Sequence, residues 1–282
     1  MSAAWRNRPE RGSPGLKRLI IWLALHAGRR FCRVLLVPIC AYFQATAPEA
    51  RRASREFLTR ALGRPATQRD VFRHLLVFAT TLLDRVFLLH GRHDDFEVTV
   101  SNADVFEEAM AAGRGCLLLG SHLGSFAMLG VVGSLRRRLA INMVMHVEDS
   151  AGLAQLLAGS GFTIPYKVIP LGHPESMLRV KECLERGEVV GILADRVYGE
   201  EATQAVPFLG VPARFSLSPF RLARITGAPA LTAFGLFRGG RRYEIVFEAL
   251  RAPEPGPYVA ILDRQARRAP FNWFNFYAFW GT

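Results

Sequence analysis

The chain has 282 residues, enough for one large α/β domain with a substantial core and an appended element. Half of the residues are hydrophobic, mean hydropathy is +0.14, and 36 Lys+Arg against 24 Asp+Glu leave a net charge of +12. That balance points to an anionic membrane surface or an acidic carrier as partner. Nucleic acid is set aside, because the arginines form no long tract and no zinc-finger, RNP or helix-turn-helix signature occurs.

Residues 1–15 are polar, Arg- and Pro-rich, and read as a disordered basic tail. Residues 16–45 form a membrane-associated helical segment. It holds two apolar runs, Leu19 to Ala27 and Val34 to Phe43, parted by Gly28-Arg29-Arg30. A single spanning helix of roughly 20 residues would strand Arg29, Arg30 and Arg33 near mid-membrane. An interfacial helix pair is therefore expected, with these arginines snorkelling to anionic headgroups. No small-residue cleavage site follows, so the segment does not read as a secretory signal.

Residues 46–282 read as one α/β domain, a mixed and mostly parallel sheet flanked by helices. Helices are expected over Pro48–Leu62, Gln68–His90, Val105–Ala112, from near Gly124, and over Ala151–Ala158, Ser176–Arg186 and Phe215–Ile225. Strands are expected over Phe96–Val100, around Leu117, and over Ile141–Val147, Lys167–Pro170 and Val189–Ala194. Ala230–Phe237 and Tyr243–Glu248 form an antiparallel pair joined by Arg238-Gly239-Gly240-Arg241. Cys32, Cys40, Cys116 and Cys183 sit in apolar segments without C-x-x-C spacing and read as reduced thiols of a cytosolic compartment. No His/Cys cluster has zinc spacing, so neither metal nor cofactor is expected.

Four stretches carry candidate chemistry. The first places His122 just past a buried strand, at the sheet edge where α/β folds hold ligands. A histidine there suits a general base. Ser121, Gly124 and Ser125 around it leave room for a substrate and offer backbone N–H groups to a developing oxyanion. The second is Asp195-Arg196 at the end of another buried strand, where Arg196 can bind an anion in bidentate fashion. The third, Pro207 to Phe215 with Phe208, Leu209 and Gly210, reads as an apolar turn-rich loop able to line a lipid-tail channel. The fourth is the aromatic run Ala269 to Trp280, mostly core, with Asn272 and Asn275 as possible site contributors.

Together Gly120-Ser121-His122-Leu123-Gly124-Ser125-Phe126, Gly191-Ile192-Leu193-Ala194-Asp195-Arg196, Pro207-Phe208-Leu209-Gly210 and Ala269 to Tyr277 resemble the lysophospholipid acyltransferase superfamily. The likeness is to its lipid A late acyltransferase branch, and within it to the acyltransferases of aryl polyene and xanthomonadin clusters. The resemblance implies a glycerol-3-phosphate acyltransferase-like fold. It also implies a peripheral or monotopic enzyme on the cytoplasmic face of the inner membrane. Such an enzyme moves an acyl group from acyl carrier protein or coenzyme A to a hydroxyl of a lipid, glycolipid or polyene. A non-catalytic lipid or carrier binder on the same fold is the alternative. The family's histidine–x4–acid motif maps its histidine to His122 and its acid to position 127, where this chain has Ala127. An acid is likewise implied at Ala278 and a basic residue at Gly130. Ala127 reads first as an inactivating substitution that impairs this chain. A degenerate paralogue, or support of His122 by Asp195, Glu148 or Asp149, are the alternatives.

Overall fold

The computed structural model describes residues 14–136, 139–146, 166–171 and 174–280. Most of the tail, the helix expected over Ala151–Ala158, Glu148 and Asp149 lie outside the described residues. Helices α1 (Pro14–Thr46), α2 (Pro48–Leu62) and α3 (Gln68–Leu89) precede β1 (Glu97–Ser101), α4 (Ala103–Ala111), β2 (Cys116–Gly120) and α5 (Phe126–Arg136). Then come β3 (Ile141–His146), β4 (Lys167–Leu171), α6 (Pro174–Glu185), β5 (Val189–Leu193), β6 (Thr203–Phe208) and β7 (Val211–Ser216). The chain ends with α7 (Ser218–Thr226), β8 (Ala230–Gly239), β9 (Arg242–Ala249) and α8 (Pro255–Arg268).

Seven strands form one sheet in the order β1-β9-β8-β2-β5-β3-β4, parallel throughout except for the β8–β9 hairpin. The expected mixed, mostly parallel α/β architecture is what the chain adopts. Parallel strands need helical crossovers, which cover both faces, so their sequences are nearly continuous apolar runs. Side-chain alternation then feeds two cores. Leu117, Leu119, Val190, Ile192, Phe234 and Leu236 join the layer packed with α2, α6, α7 and α8. Leu118, Val189, Met143, Ala233 and Ile245 pack toward α4 and α5.

The N-terminal helices departed from expectation in one respect. The helix is broken at Gly28 (φ 81°), as the sequence implies. The arginines beside it do not all turn outward. Arg29 is buried and forms a two-pronged ion pair with Asp84 of α3, with Nε 2.6 Å and Nη2 2.8 Å from the carboxylate. It also donates to the Gly240 carbonyl at 2.7 Å, and Arg33 reaches that carbonyl at 3.3 Å. The Tyr243 hydroxyl donates to Asp84 at 2.7 Å. The snorkelling expected of Arg29 and Arg33 is thus replaced by anchorage, because the acceptors lie on the domain side. Buried Arg29, Cys32 and Cys40, with partly buried Leu36, mark the inner stripe at helical spacing. Phe31, Val34, Val37, Ile39, Tyr42 and Phe43 are exposed. Among the described residues no single helix is long and apolar enough to cross a membrane. One pair bent by 98°, His26–Thr46 with Pro48–Leu62, meets that test jointly.

The stretch from Thr203 to Ser216 also differs. It is an antiparallel hairpin, β6–β7, and the helix expected from Phe215 begins only at Ser218. Its turn is Leu209-Gly210, both with positive φ (51° and 85°), the two-residue pattern that matches strand twist. Leucine there carries no turn signal, so the hairpin read as a loop. Phe208 and Leu209 are buried in the main core.

Candidate active site

Strand register brings the site together. Gly120 of β2 pairs with Leu193 of β5, so His122 and Asp195, each two residues past its strand, meet across the carboxyl edge of the sheet. Asp195 Oδ1 lies 2.8 Å from His122 Nδ1, and Oδ2 accepts the His122 backbone N–H at 2.9 Å. The Trp273 indole N–H donates to the same Oδ2 at 2.9 Å. Three donors thus fix a carboxylate that is 1% exposed, while the His122 side chain is 21% exposed. Burial pushes the Asp195 carboxyl up, but the charge and hydrogen bonds of His122, with the charge of Arg196, outweigh it and hold the group below its ordinary value. A carboxylate accepts only, so His122 Nδ1 carries the proton and Nε2 carries the lone pair.

His122 therefore has an orienting carboxylate although Ala127, the second residue of α5, supplies none. Of the carboxylates weighed from the sequence, Asp195 takes this place. Ala278 is exposed. Gly130 is buried, and a Cβ there would come within 2.8 Å of the Tyr166 ring, so the interface of α5 with Tyr166 leaves no room for a long basic side chain.

The small residues after His122 serve backbone approach and not substrate room. Gly124 has φ +82°, and a Cβ on it would sit 2.2 Å from the Gly235 carbonyl oxygen of β8. Its N–H donates to the Asn272 carbonyl at 2.8 Å, and the Ser125 N–H donates to the Gly235 carbonyl at 2.7 Å. Both amides expected to form an oxyanion hole are committed within the fold. Ser121 Oγ accepts the Leu123 N–H, and Ser125 Oγ caps α5 by accepting from Met128 N–H.

The C-terminal segment frames the site. His122 and Gly124 pair with it on the backbone: Phe274 N–H donates to the His122 carbonyl at 2.9 Å, and Leu123 bridges Trp273. Asn272 brackets the Phe237 peptide, accepting its N–H at 2.7 Å and donating to its carbonyl at 3.3 Å. Asn275 is buried and donates to the Tyr277 carbonyl. The two asparagines thus hold backbone. Arg196 donates to the Phe274 carbonyl at 3.3 Å, and its guanidinium carbon lies 5.6 Å from the centroid of the Tyr277 ring. Phe208 packs edge-on against Trp273 from behind, at 5.1 Å.

Two features escaped the sequence reading. One is Trp273 as a donor to Asp195, which a single indole in an aromatic run does not announce. The other is His74 on α3, fully buried between Ser54 Oγ (2.8 Å from Nδ1) and the Trp273 carbonyl (2.8 Å from Nε2). Burial lowers its pKa from 6.5 to about 4, against a smaller opposing effect of the Trp273 carbonyl. The folded state thus resists protonation, and the penalty appears as pH falls below 6.5 and is complete below about 4. Stability is expected to drop by about 3 kcal/mol between pH 7.5 and pH 4 from this group alone. Urea unfolding at a series of pH values measures the slope, which His74→Gln should flatten.

A small cavity of about 60 Å³ lies on the opposite face of the sheet, between β2, β5, β3, β9 and helices α4 and α5. Its lining is apolar throughout, and the Phe126 ring, packed against Gly120 and Gly191, stands between it and the strand ends that carry the site. Among the described residues no group of His, Cys, Asp and Glu is arranged to hold a metal.

Comparison with protein families adds an independent finding. The family model described as bacterial lipid A biosynthesis acyltransferase matches residues 20–265. A search of curated proteins found no match.

Proposed function

The chain belongs to the bacterial lipid A biosynthesis acyltransferase family, and with it to the lipid acyltransferases; from that premise we propose that it moves an acyl group from an acyl carrier protein or coenzyme A thioester to a hydroxyl of a lipid, glycolipid or aryl polyene. The observation that carries this reading is the His122–Asp195 pair, a solvent-reachable imidazole held in the base tautomer by a buried carboxylate. His122 Nε2 takes the proton of the acceptor hydroxyl, and the oxygen attacks the thioester carbonyl. Asp195 stabilises the imidazolium without taking its proton. The tetrahedral oxyanion collapses, the C–S bond breaks, and the imidazolium returns its proton to the leaving thiolate. Arg196, whose charge acts on Asp195, is the residue assigned to offset the oxyanion charge.

The test is acyl transfer from labelled donor thioesters into a lipid extract of the producing cells, with products read by mass spectrometry. Transfer by the native chain and none by His122→Ala supports the reading. Lipid retention with no transfer supports the non-catalytic binder, which the missing acid at position 127 favours.

We place the enzyme on an anionic, cytoplasmic inner-membrane surface. The exposed apolar side chains of α1, opposite its Arg29 anchor, and the net charge of +12 support this. Val34→Glu with Ile39→Glu is expected to cut binding to vesicles of anionic phospholipid by at least about tenfold, at roughly 1 kcal/mol or more for each buried apolar group lost. Vesicle sedimentation measures it; unchanged binding would remove α1 as the contact.

A further inference from the structure

The dyad is braced by groups that take no part in the proton transfer. The Trp273 indole lies among Phe57 (4.8 Å between centroids), Phe208 (5.1 Å) and Phe279 (4.8 Å), yet its one polar atom points at Asp195 Oδ2. The Trp273 carbonyl in turn accepts from His74. A carbonyl can only accept, so His74 is the Nε2–H tautomer, and its Nδ1 accepts the Ser54 hydroxyl proton. His74 itself sits against Phe57, Phe274 and Phe276 at 4.7 to 6.3 Å, where a phenylalanine would satisfy packing alone. Burying an imidazole there without a hydrogen-bonding role would cost free energy. The chain Ser54–His74–Trp273–Asp195–His122 therefore runs from the α2–α3 helices to the base, with a single donor direction at each link.

We propose that Trp273 and His74 are positioning residues for the His122–Asp195 pair, resting on the reading of His122 as the base. The indole N–H holds the carboxylate in place and shares its charge, and His74 holds Trp273 through its main-chain oxygen. Two effects follow from removing the indole donor. Asp195 gains rotational freedom, and a misplacement of about 1 Å can lower turnover about 100-fold. More of its charge then acts on the imidazole, the protonated form of His122 is stabilised, and the neutral base is populated only at higher pH. Among the described residues, the charges and rings of Arg196 beside it, Tyr258 of α8 and Tyr277 of the C-terminal segment also reach the pair. None of them is altered by the substitutions below.

The experiment compares Trp273→Phe, His74→Phe and His74→Gln with the native chain, scaling each to its folded fraction by thermal denaturation. Trp273→Phe is expected to lower kcat about 10- to 100-fold with KM within twofold, and to move the acid limb of kcat/KM to higher pH. His74→Phe should shift both in the same direction by a smaller amount. His74→Gln, whose amide can still donate to the Trp273 carbonyl, should stay within about threefold of native. An NMR titration of the His122 ring, assigned by its absence in His122→Ala, reads the same shift without substrate. Loss of core packing alone would lower the folded fraction and leave the pH profile of the surviving enzyme unchanged. Native kcat and pH profile in Trp273→Phe and His74→Phe, with His122→Ala and Asp195→Asn inactive, would overturn the bracing and leave the dyad standing. Full turnover by Asp195→Asn would instead overturn the dyad. Should Trp273→Phe not fold, the His74 pair and the ring titration decide.

Discussion

Asp195→Asn is expected to lower acyl transfer by about 10²- to 10⁴-fold while leaving the fold and lipid binding in place. The size follows from which way the new amide must face. Asp195 Oδ2 accepts two fixed donors, the His122 backbone N–H and the Trp273 indole. An asparagine keeps both only by placing its carbonyl oxygen there. Its NH2 then takes the Oδ1 position, 2.8 Å from His122 Nδ1, and donates where the carboxylate accepted. The imidazole is driven to the other tautomer, and the proton moves to Nε2, where the base is needed. Ala127→Glu discriminates between the two accounts of the missing acid. If Asp195 orients His122, adding a carboxylate at position 127 changes the rate by less than about threefold; if the chain is impaired for want of that acid, it restores activity on the order of 100-fold or more. Steady-state rates of acyl transfer for the single and double variants decide.

Asp84→Ala is expected to destabilise the chain by about 3–5 kcal/mol, the range for removing one partner of a buried ion pair. Asp84 accepts two hydrogen bonds from Arg29 and one from Tyr243, with side-chain exposures of 9% for Arg29 and 1% for Asp84. Its loss leaves a guanidinium in a closed space with the Gly240 carbonyl as partner and strips the Tyr243 hydroxyl of its acceptor. The effect should concentrate at α1, which this network fastens to α3 and to the β8–β9 turn. Limited proteolysis is expected to cut near Gly28 well before the sheet unfolds, and chemical denaturation measures the free-energy loss. Replacing both partners with apolar residues, Arg29→Met with Asp84→Leu, should recover most of it, because no unpaired charge remains. A loss under about 1 kcal/mol for Asp84→Ala would show that α1 is held by its apolar stripe alone.

Much of the architecture was legible in the sequence because it rests on local chemistry. The apolar runs of β2 and β5 read as buried strands and the periodic run from Gln68 as a helix, as the structure has them. The β6–β7 hairpin was hidden because its turn uses Leu209 where asparagine or aspartate is usual. His122 and Asp195 were both visible as strand-end residues. Their partnership was not, since it depends on the register Gly120 to Leu193 across 73 residues of chain. The glycine and serine after His122 suggested an open anion site. Only the close passage of β8, with the Gly235 carbonyl taking the Ser125 amide, shows that this space is occupied by backbone.

By itself, then, the sequence determined the α/β class, the amphipathic N-terminal helix, the histidine at a strand end and the absence of an acid at position 127. These depend on residue type and periodicity, which are local. The tertiary structure decided which carboxylate meets that histidine, that Arg29 anchors α1 inward, and that Trp273 and His74 stand behind the pair. Each of these is a contact between segments far apart in the chain. Whether a buried polar group is a cost or a brace depends on a partner whose place is set only by packing and strand order.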